Sequence, residues 1–310
     1  MKIDITIIIA TYNRSACLIE TLDSVLSQEF PVGVNYELIV VDNNSTDNTK
    51  LSVLSYESKF QGKLIYLFEP RQGKAFALNR AIAKSQGNII VFTDDDVLVT
   101  HTWIKNIWEC FNKNDCDGIG GKILPLFLPN TPQWIINNAD LLNGPLVLFD
   151  FGTETKLYTK PMYEFFGANF AFKRKVFDDC GYFRTDIGMG KAIQGEDTEF
   201  VRRVHQSGKI LYYCGSAVVN HKTLKRITLK YIAKWNIALG RYRVIIDDQR
   251  KIDPSLVLWQ GIPRYLFKVL LNNLIQTIIN IFNRRKFLEA LITLSQNWGK
   301  AMEIRSINNN

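Results

Sequence analysis

With 310 residues and 46% hydrophobic content, the chain can bury one large or two modest cores. Its net charge of +8 is local: residues 1–220 carry 22 Lys+Arg against 25 Asp+Glu, and residues 221–310 carry 16 against 5, so the last third is expected to meet an anionic surface, membrane or nucleic acid. Five cysteines (Cys17, Cys110, Cys116, Cys180, Cys214) with no C-x-x-C spacing argue against a zinc site or a disulfide framework and for reduced thiols in a reducing compartment.

The first half alternates short β-rich runs with helical ones. Ile5–Ala10 reads as a strand; the apolar start is too short for a secretory h-region and no small-residue cleavage site follows it. Ser15–Ser27 reads as a helix with Leu18, Leu22, Val25 and Leu26 on one face. Strand Tyr36–Val41, helix Asn48–Lys59, strand Leu64–Phe68, helix Lys74–Lys84 and strand Ile89–Thr93 follow. This spacing predicts a parallel sheet with helices on both faces. Residues 118–152 are richer in Pro and Asn and should leave the simple βαβ pattern. Further on come strand Phe165–Phe172, helix Lys173–Cys180, a loop at Gly188–Gly190, helix Glu196–Ser207, and short strands Ile210–Cys214 and Ala217–His221.

Asp94-Asp95-Asp96 ends the strand-like run at 88–93. Three adjacent carboxylates repel one another and resist burial. A bound divalent cation would account for them, since hard cations take oxygen ligands and bridge to phosphates; a solvated acidic turn is the bland alternative. In open α/β sheets ligands bind beyond the carboxyl ends of the strands, which favours the cation. The turn from Asp42 to Asp47 is rich in residues that close Asx turns, whatever its function.

Four segments occur in order: Ala10-Thr-Tyr-Asn-Arg14, Val41-Asp-Asn-Asn-Ser-Thr-Asp47, the triple Asp, and Gly195-Glu-Asp-Thr-Glu199. Their order and their places at strand or helix ends resemble glycosyltransferase family 2, over roughly Ile5 to His221. Segments 71–79 and 167–169 are similar to that family as well. The resemblance implies an α/β chain of the GT-A fold, a Rossmann-like nucleotide-binding sheet with helices on both faces, plus a C-terminal amphipathic helical extension. The expected division is a transferase domain over 1–221, with a nucleotide-sugar half to about 117 and an acceptor half from about 118, and a basic tail over 222–310.

The same resemblance implies an inverting, metal-dependent transfer from a nucleotide-diphosphate sugar, with a UDP-sugar expected, to an acceptor hydroxyl. Thr11, Tyr12, Arg14, Asp42, Arg71, Lys74, Asp94 and Asp95 are the expected donor-binding residues. Tyr12 would stack on the base while Asp42 accepts from it; Arg14, Arg71 and Lys74 bring positive charge. Asp94 is expected on the ribose side and Asp96 on Mg²⁺ or Mn²⁺, with Asp95 leaving the register of the D-x-D open. His221 resembles a downstream metal-ligand histidine. Asp197 is the expected general base, although negative charge at a helix start also serves capping. Glu196, Trp134 and Asn169 are candidate acceptor contacts, against capping, core packing and a strand-end turn respectively.

From Arg264 the polar residues Arg264, Lys268, Asn272, Gln276, Asn280 and Arg284 recur every fourth position between apolar ones. This predicts a helix with a wide apolar face, ended by Arg284-Arg285-Lys286, and a second amphipathic segment over Phe287–Trp298. No run of about eighteen uncharged apolar residues occurs, so no plain spanning helix is expected. The tail is read as an interfacial anchor, placing the protein in the cytoplasm and peripherally on the inner face of the cell membrane, with a glycan or lipid-linked acceptor. A packed helix pair or a dimer interface is the competing explanation. Nucleic acid is not expected, because apolar-faced helices offer phosphates little. A sugar-nucleotide pyrophosphorylase would place glycines where 10–14 has none. The non-enzymatic alternative is a membrane-associated binding module on a catalytically inactive transferase fold. No Gln-x-x-Arg-Trp stretch is evident, which favours transfer of single sugars over processive synthesis.

Overall fold

The structure is a computed structural model that describes residues 2–159, 165–188, 195–223, 226–246 and 257–308. In chain order the elements begin with β1 (Ile5–Thr11), α1 (Ser15–Leu26), β2 (Tyr36–Asp42), α2 (Thr49–Leu54), β3 (Leu64–Phe68), α3 (Lys74–Lys84), β4 (Ile89–Asp94), β5 (Val97–Val99), α4 (Trp103–Lys113) and β6 (Gly118–Leu126). They continue with α5 (Gln133–Ile136), α6 (Asn143–Leu146), β7 (Thr155–Leu157), β8 (Asn169–Lys173), α7 (Lys175–Cys180), α8 (Glu196–Gln206) and β9 (Leu211–Lys222). Last come α9 (Leu229–Ile246), the two-residue strands β10 (Leu258–Trp259) and β11 (Ile262–Pro263), α10 (Arg264–Ile279) and α11 (Arg284–Asn308).

The chain forms two compact units. Among the described residues the first holds 2–126, 149–159, 165–188 and 196–222, and the second holds 127–148, 195, 223, 226–246 and 257–308.

The first unit is built on a nine-stranded sheet ordered β3-β2-β1-β4-β8-β6-β9-β5, with β7 on β9. The parallel half is the one read from the sequence: β2, β1 and β4 are buried almost throughout, as Ile- and Val-rich strands covered on both faces must be. Its helices show the expected faces, Leu18, Thr21, Leu22 and Val25 on α1 and Ala75, Ala77, Leu78, Ala81 and Ile82 on α3. Beyond β4 the sheet turns mixed, because β8 runs antiparallel to both β4 and β6.

Register decides where chemistry can gather. β1 pairs Thr11 with Asp42 on one side and Ala10 with Asp94 on the other. β5 pairs Val97 with His221, so the residue just after the triple Asp lies opposite a histidine more than a hundred positions later.

Several elements differ from the expectation. The helix expected over 48–59 ends at Leu54, and the strand expected from Phe165 begins at Asn169. The two short strands near 210–221 are one strand, β9, whose pairing with β6 jumps from Gly121↔Cys214 to Lys122↔Val218. That irregularity, centred on Gly215 to Ala217, is what reads locally as a break. Met189 and Gly190 of the expected loop lie outside the described residues.

In the second unit α9 and α11 cross closely. A Cβ on Gly240 would fall 2.0 Å from the Gln296 carbonyl oxygen, and one on Gly299 would fall 2.0 Å from that of Ile237. Val244, Leu266, Leu270, Ala301 and Ile304 form one apolar cluster, and Ile135, Leu142, Leu146 and Ile232 another. The expected tail helix ends at Ile279 rather than at the basic knot. Asn283 caps the next helix instead, its side-chain oxygen accepting the Lys286 N–H at 3.2 Å. Arg284-Arg285-Lys286 therefore opens α11, and the segment 287–298 is its middle. No helix among the described residues is long and apolar enough to cross a membrane.

Candidate active site

The loops after β1 and β2 are stitched together. Asn13 adopts a left-handed backbone (φ 51°) and its side-chain oxygen accepts the Thr46 N–H at 2.7 Å. The Asn13 N–H goes to Ser45 Oγ at 2.9 Å, and the Ser15 N–H to Asp47 Oδ2 at 3.0 Å. The polar turn is thus a structural brace. Asp42 is buried; Oδ1 accepts the Ser45 N–H at 2.8 Å and Oδ2 the Tyr66 hydroxyl at 2.9 Å. Burial and the neighbouring carboxylate push the Tyr66 hydroxyl well above its usual range. Tyr12 stands exposed, 46% of its surface open.

The three carboxylates of the triple Asp have two sets of partners that overlap at Arg14. Asp95 is tied down: Oδ2 accepts from Thr11 Oγ1 at 2.8 Å and Oδ1 from Arg14 Nη1 at 3.0 Å. Burial, reinforced by Asp96 and opposed by Arg14, raises its pKa to about 6. Asp94 and Asp96 face the other way, toward His221. His221 Nε2 lies 3.3 Å from Asp96 Oδ1 and 3.6 Å from Asp94 Oδ2. Asp94 is also paired with Lys74, and Asp96 Oδ2 accepts from Arg14 Nη1 at 2.7 Å. Burial works against the charge on Asp94, but Lys74 holds its pKa far below the carboxylate range. The same burial is overcome at Lys74 by Asp94, Glu196 and Asp197, which keep the ammonium charged.

Among the described residues, Asp94, Asp96 and His221 alone offer three ligand atoms within 4.8 Å of one another. The donor set suits a divalent cation: two carboxylate oxygens and an imidazole nitrogen. His221 Nε2 is buried with no hydrogen bond of good geometry, while Nδ1 lies 3.2 Å from the Lys222 carbonyl oxygen. Were Nδ1–H to donate to that carbonyl, the Nε2 lone pair would face the two carboxylates, the tautomer a metal ligand needs.

Asp197 opens α8. Its Oδ2 accepts the Gly167 N–H at 2.8 Å and its Oδ1 the Thr198 N–H at 2.8 Å. A Cβ on Gly167 would sit 3.3 Å from Asp197 Oδ2 and 3.5 Å from Lys74 Nζ. The bare backbone there lets the Asp197 carboxylate and the Lys74 ammonium converge, which links Asp197 to the carboxylate cluster. Glu196 is buried beside the same ammonium.

Other expected residues sit elsewhere. Asn169, expected on sugar hydroxyls, is 1% exposed and consumed by the sheet. Its oxygen accepts from Trp103 Nε1 at 2.8 Å, and its amide donates to the Lys122 and Ala217 carbonyls at 2.9 and 2.8 Å. These bonds hold the β6–β9 irregularity in place. Trp134 belongs to the second unit, half-buried against its apolar cluster with the Arg284 guanidinium 5.2 Å above the ring. Arg71 forks onto Glu69, with Nε–Oε1 at 2.7 Å and Nη2–Oε2 at 3.1 Å.

Glu69 went unnoticed in the sequence, as did Asn43. Glu69 is fully buried, and the Arg71 hydrogen bonds hold its pKa below the usual range. Asn43 accepts the Gly73 N–H at 2.8 Å and donates to the Arg71 carbonyl at 2.7 Å, so it sets the start of α3 and the position of Lys74. An acid at the end of a strand-like run and two residues before Arg71 was the available signal for Glu69.

A family model described as glycosyl transferase family 2 matches residues 6–182. The chain is similar to the glucosyl-dolichyl phosphate glucuronosyltransferase of Haloferax volcanii, 24% identical over 230 residues that cover 72% of this chain and 69% of that one. It is also similar to the succinoglycan biosynthesis protein ExoM of Rhizobium meliloti, 24% identical over 75% of this chain and 72% of that one. Among solved structures it shares its fold with the mannosyltransferase PcManGT from Pyrobaculum calidifontis, in complex with GDP-Man and Mn²⁺. The TM-score is 0.58 at 18% identity, over 95% of this chain and 86% of that one. Staphylococcus aureus TarS 1–349 in complex with UDP gives 0.56 at 16%, over 98% and 90%. The mixed sheet with flanking helices is the GT-A fold expected from the sequence, with C-terminal helices present.

Proposed function

The chain belongs to glycosyl transferase family 2, and on that premise we propose that it moves a single sugar from a nucleotide-diphosphate sugar, a UDP-sugar, to an acceptor hydroxyl with inversion. The observation that carries the reading is the Asp94–Asp96–His221 cluster at the strand tips, with its buried imidazole nitrogen aimed at two carboxylates. Asp94, Asp96 and His221 would hold Mg²⁺ or Mn²⁺. That ion, when bound, supplies positive charge for the diphosphate as it leaves. Exposed Tyr12 offers a stacking face for the base, with Asp42 behind it at the next strand tip. Arg14, anchored by Thr11 through Asp95, and Lys74 bring cationic charge toward the diphosphate. Arg71 is forked on Glu69 and is not assigned to the diphosphate.

Asp197 accepts the proton from the acceptor hydroxyl. The hydroxyl oxygen forms a bond to the anomeric carbon as the bond from that carbon to the diphosphate oxygen breaks, and the nucleoside diphosphate carries away the electron pair. A base on one side and a leaving group on the other imply one in-line displacement, hence inversion. Positioned base help of this kind is worth roughly 10²–10⁴-fold.

One relative is named for glucosyl-dolichyl phosphate and another for succinoglycan biosynthesis. By analogy we assign a lipid-linked glycan acceptor, in cell-surface polysaccharide or glycolipid assembly, met by a cytoplasmic enzyme resting on the inner face of the membrane. The test of the donor site is a thermal-shift screen of nucleoside diphosphates with Mn²⁺ or EDTA, on wild type and Asp96→Ala. Saturation at about a hundredfold over Kd stabilises by roughly 2.7 kcal/mol. One nucleotide should stabilise, only with metal, and not in Asp96→Ala. No shift with any nucleotide would overturn the proposal.

A further inference from the structure

The second unit carries an apolar stripe that its own packing does not use. On α10 the buried positions are Leu266, Leu270 and Thr277, which face α11 and the cluster around Ala301 and Ile304. About a third of the way round the helix lie Leu271, Leu274, Ile275, Ile278, Ile279 and Phe282. All six are exposed, Phe282 completely. Their spacing of three and four residues makes one continuous face, carried by Phe282 past the helix end into the elbow at 280–283. Leu271 and Leu274 also line an apolar hollow of about 370 Å³ shared with Leu294 and Trp298 of α11. Contiguous exposed aliphatic surface on this scale marks a contact site.

Charge names the partner. Residues 257–308 carry seven Lys+Arg against two Asp+Glu. Arg264 and Lys268 stand seven residues before Leu271 and Ile275, on the same face of the helix. At the other end Arg284, Arg285 and Lys286 follow the elbow; Arg285 is paired with Asp140, and Lys286 is exposed. An aliphatic strip with cations at both ends fits a helix lying in the plane of an anionic bilayer: the side chains enter the acyl boundary and the cations stay at headgroup level. Exposed Trp259, packed on Phe267, adds an aromatic suited to that boundary.

We propose that the α10–α11 elbow is the part of the second unit that enters an anionic membrane surface, with Ile278, Ile279 and Phe282 inserted and Lys268 and Lys286 at the headgroups. The inference rests on the membrane-associated part of the proposed function and not on the sugar chemistry.

The experiment is co-sedimentation of the full chain with vesicles of phosphatidylcholine alone, or with about a third phosphatidylglycerol, at low and high salt. Wild type should bind the anionic vesicles, more weakly at high salt. The double variant Ile279→Ser/Phe282→Ser should lose about tenfold or more in affinity. Lys268→Glu/Lys286→Glu should lose binding to anionic vesicles only. Both pairs are exposed, so folding and nucleotide-induced thermal shifts should persist; those shifts report the donor site independently of the vesicles. The proposal is overturned if wild type does not bind anionic vesicles, or if the double variant binds as wild type does. It is also overturned if light scattering shows a dimer that Ile279→Ser/Phe282→Ser dissolves, since a second copy would then cover the stripe.

Discussion

Asp197 Oδ2 accepts the backbone N–H of Gly167 at 2.8 Å, on the side where Lys74 approaches. The contact fixes the carboxylate's direction and leaves each oxygen a further lone pair. Asp197→Asn preserves shape and size but cannot take a proton. Turnover should fall by roughly 10²–10⁴-fold while nucleotide binding stays near wild type; thermal stability should fall modestly, because the amide NH2 replaces one of the two oxygens that accept the Gly167 and Thr198 N–H groups. Steady-state kinetics beside a thermal shift decide it; turnover within a few fold of wild type would leave Asp197 a helix-capping residue.

A metal ion held by Asp94, Asp96 and His221 would take its one nitrogen ligand from His221. His221→Ala should weaken Mn²⁺ binding by about tenfold or more, read by electron paramagnetic resonance of free Mn²⁺, with the ordered sheet retained. EDTA should abolish transfer by wild type, and added Mn²⁺ or Mg²⁺ should restore it. Unchanged Mn²⁺ affinity in the variant would remove His221 from the ligand set.

Lys74 is an internal cation beside a carboxylate that a metal would also claim. Lys74→Met removes the competitor. Mn²⁺ affinity without nucleotide should then rise about tenfold, because the Asp94 charge loses its built-in partner. Nucleotide affinity should fall in the same variant. A loss of both affinities would instead make Lys74 a structural prop of the cluster.

Glu69 gives a pH signature. Its pKa lies below the ordinary carboxylate value because Arg71 hydrogen-bonds the ionised form. A depressed folded-state pKa stabilises fully above the unfolded value, near 4.3, and the contribution is lost as pH falls through the folded value. Glu69→Gln should therefore lower Tm at neutral pH, and the gap to wild type should narrow as pH drops below about 4. A gap that is constant from neutral to acid pH would contradict it.

The α9–α11 crossing tolerates no side chain at Gly240 or Gly299. Alanine in a helix interior ordinarily gains up to about 1 kcal/mol over glycine. Here a methyl 2.0 Å from a carbonyl oxygen must force the helices apart, so Gly240→Ala should destabilise by about 1–3 kcal/mol net. Chemical denaturation monitored by tryptophan fluorescence reads the sign.

Much of this architecture was legible locally. The Ile- and Val-rich runs that became β1, β2 and β4 announce buried strands, because continuous apolar stretches of that length have no other stable use in a parallel sheet. The tail's helical period was equally plain, but its break at 280–283 was not. The i, i+4 stripe runs through Asn280 without interruption, and the capping bond that the Lys286 N–H donates to Asn283 Oδ1 marks where a new helix begins.

What the sequence by itself determined is therefore the order of the elements from β1 to β4, the family, and the acidic, basic and aromatic residues at the strand tips, since these depend on periodicity and on residues near one another in the chain. What only the tertiary structure decided is how those residues are shared out. Pairing of Val97 with His221 put an imidazole against Asp94 and Asp96, Thr11 claimed Asp95, and Arg14 was shared between Asp95 and Asp96. Asn169 was absorbed into a sheet irregularity, and Arg71 was given to Glu69. Each outcome follows from register or packing between segments far apart in sequence. A side chain's partners are set by what the fold brings within about 3 Å of it, and local pattern does not carry that information.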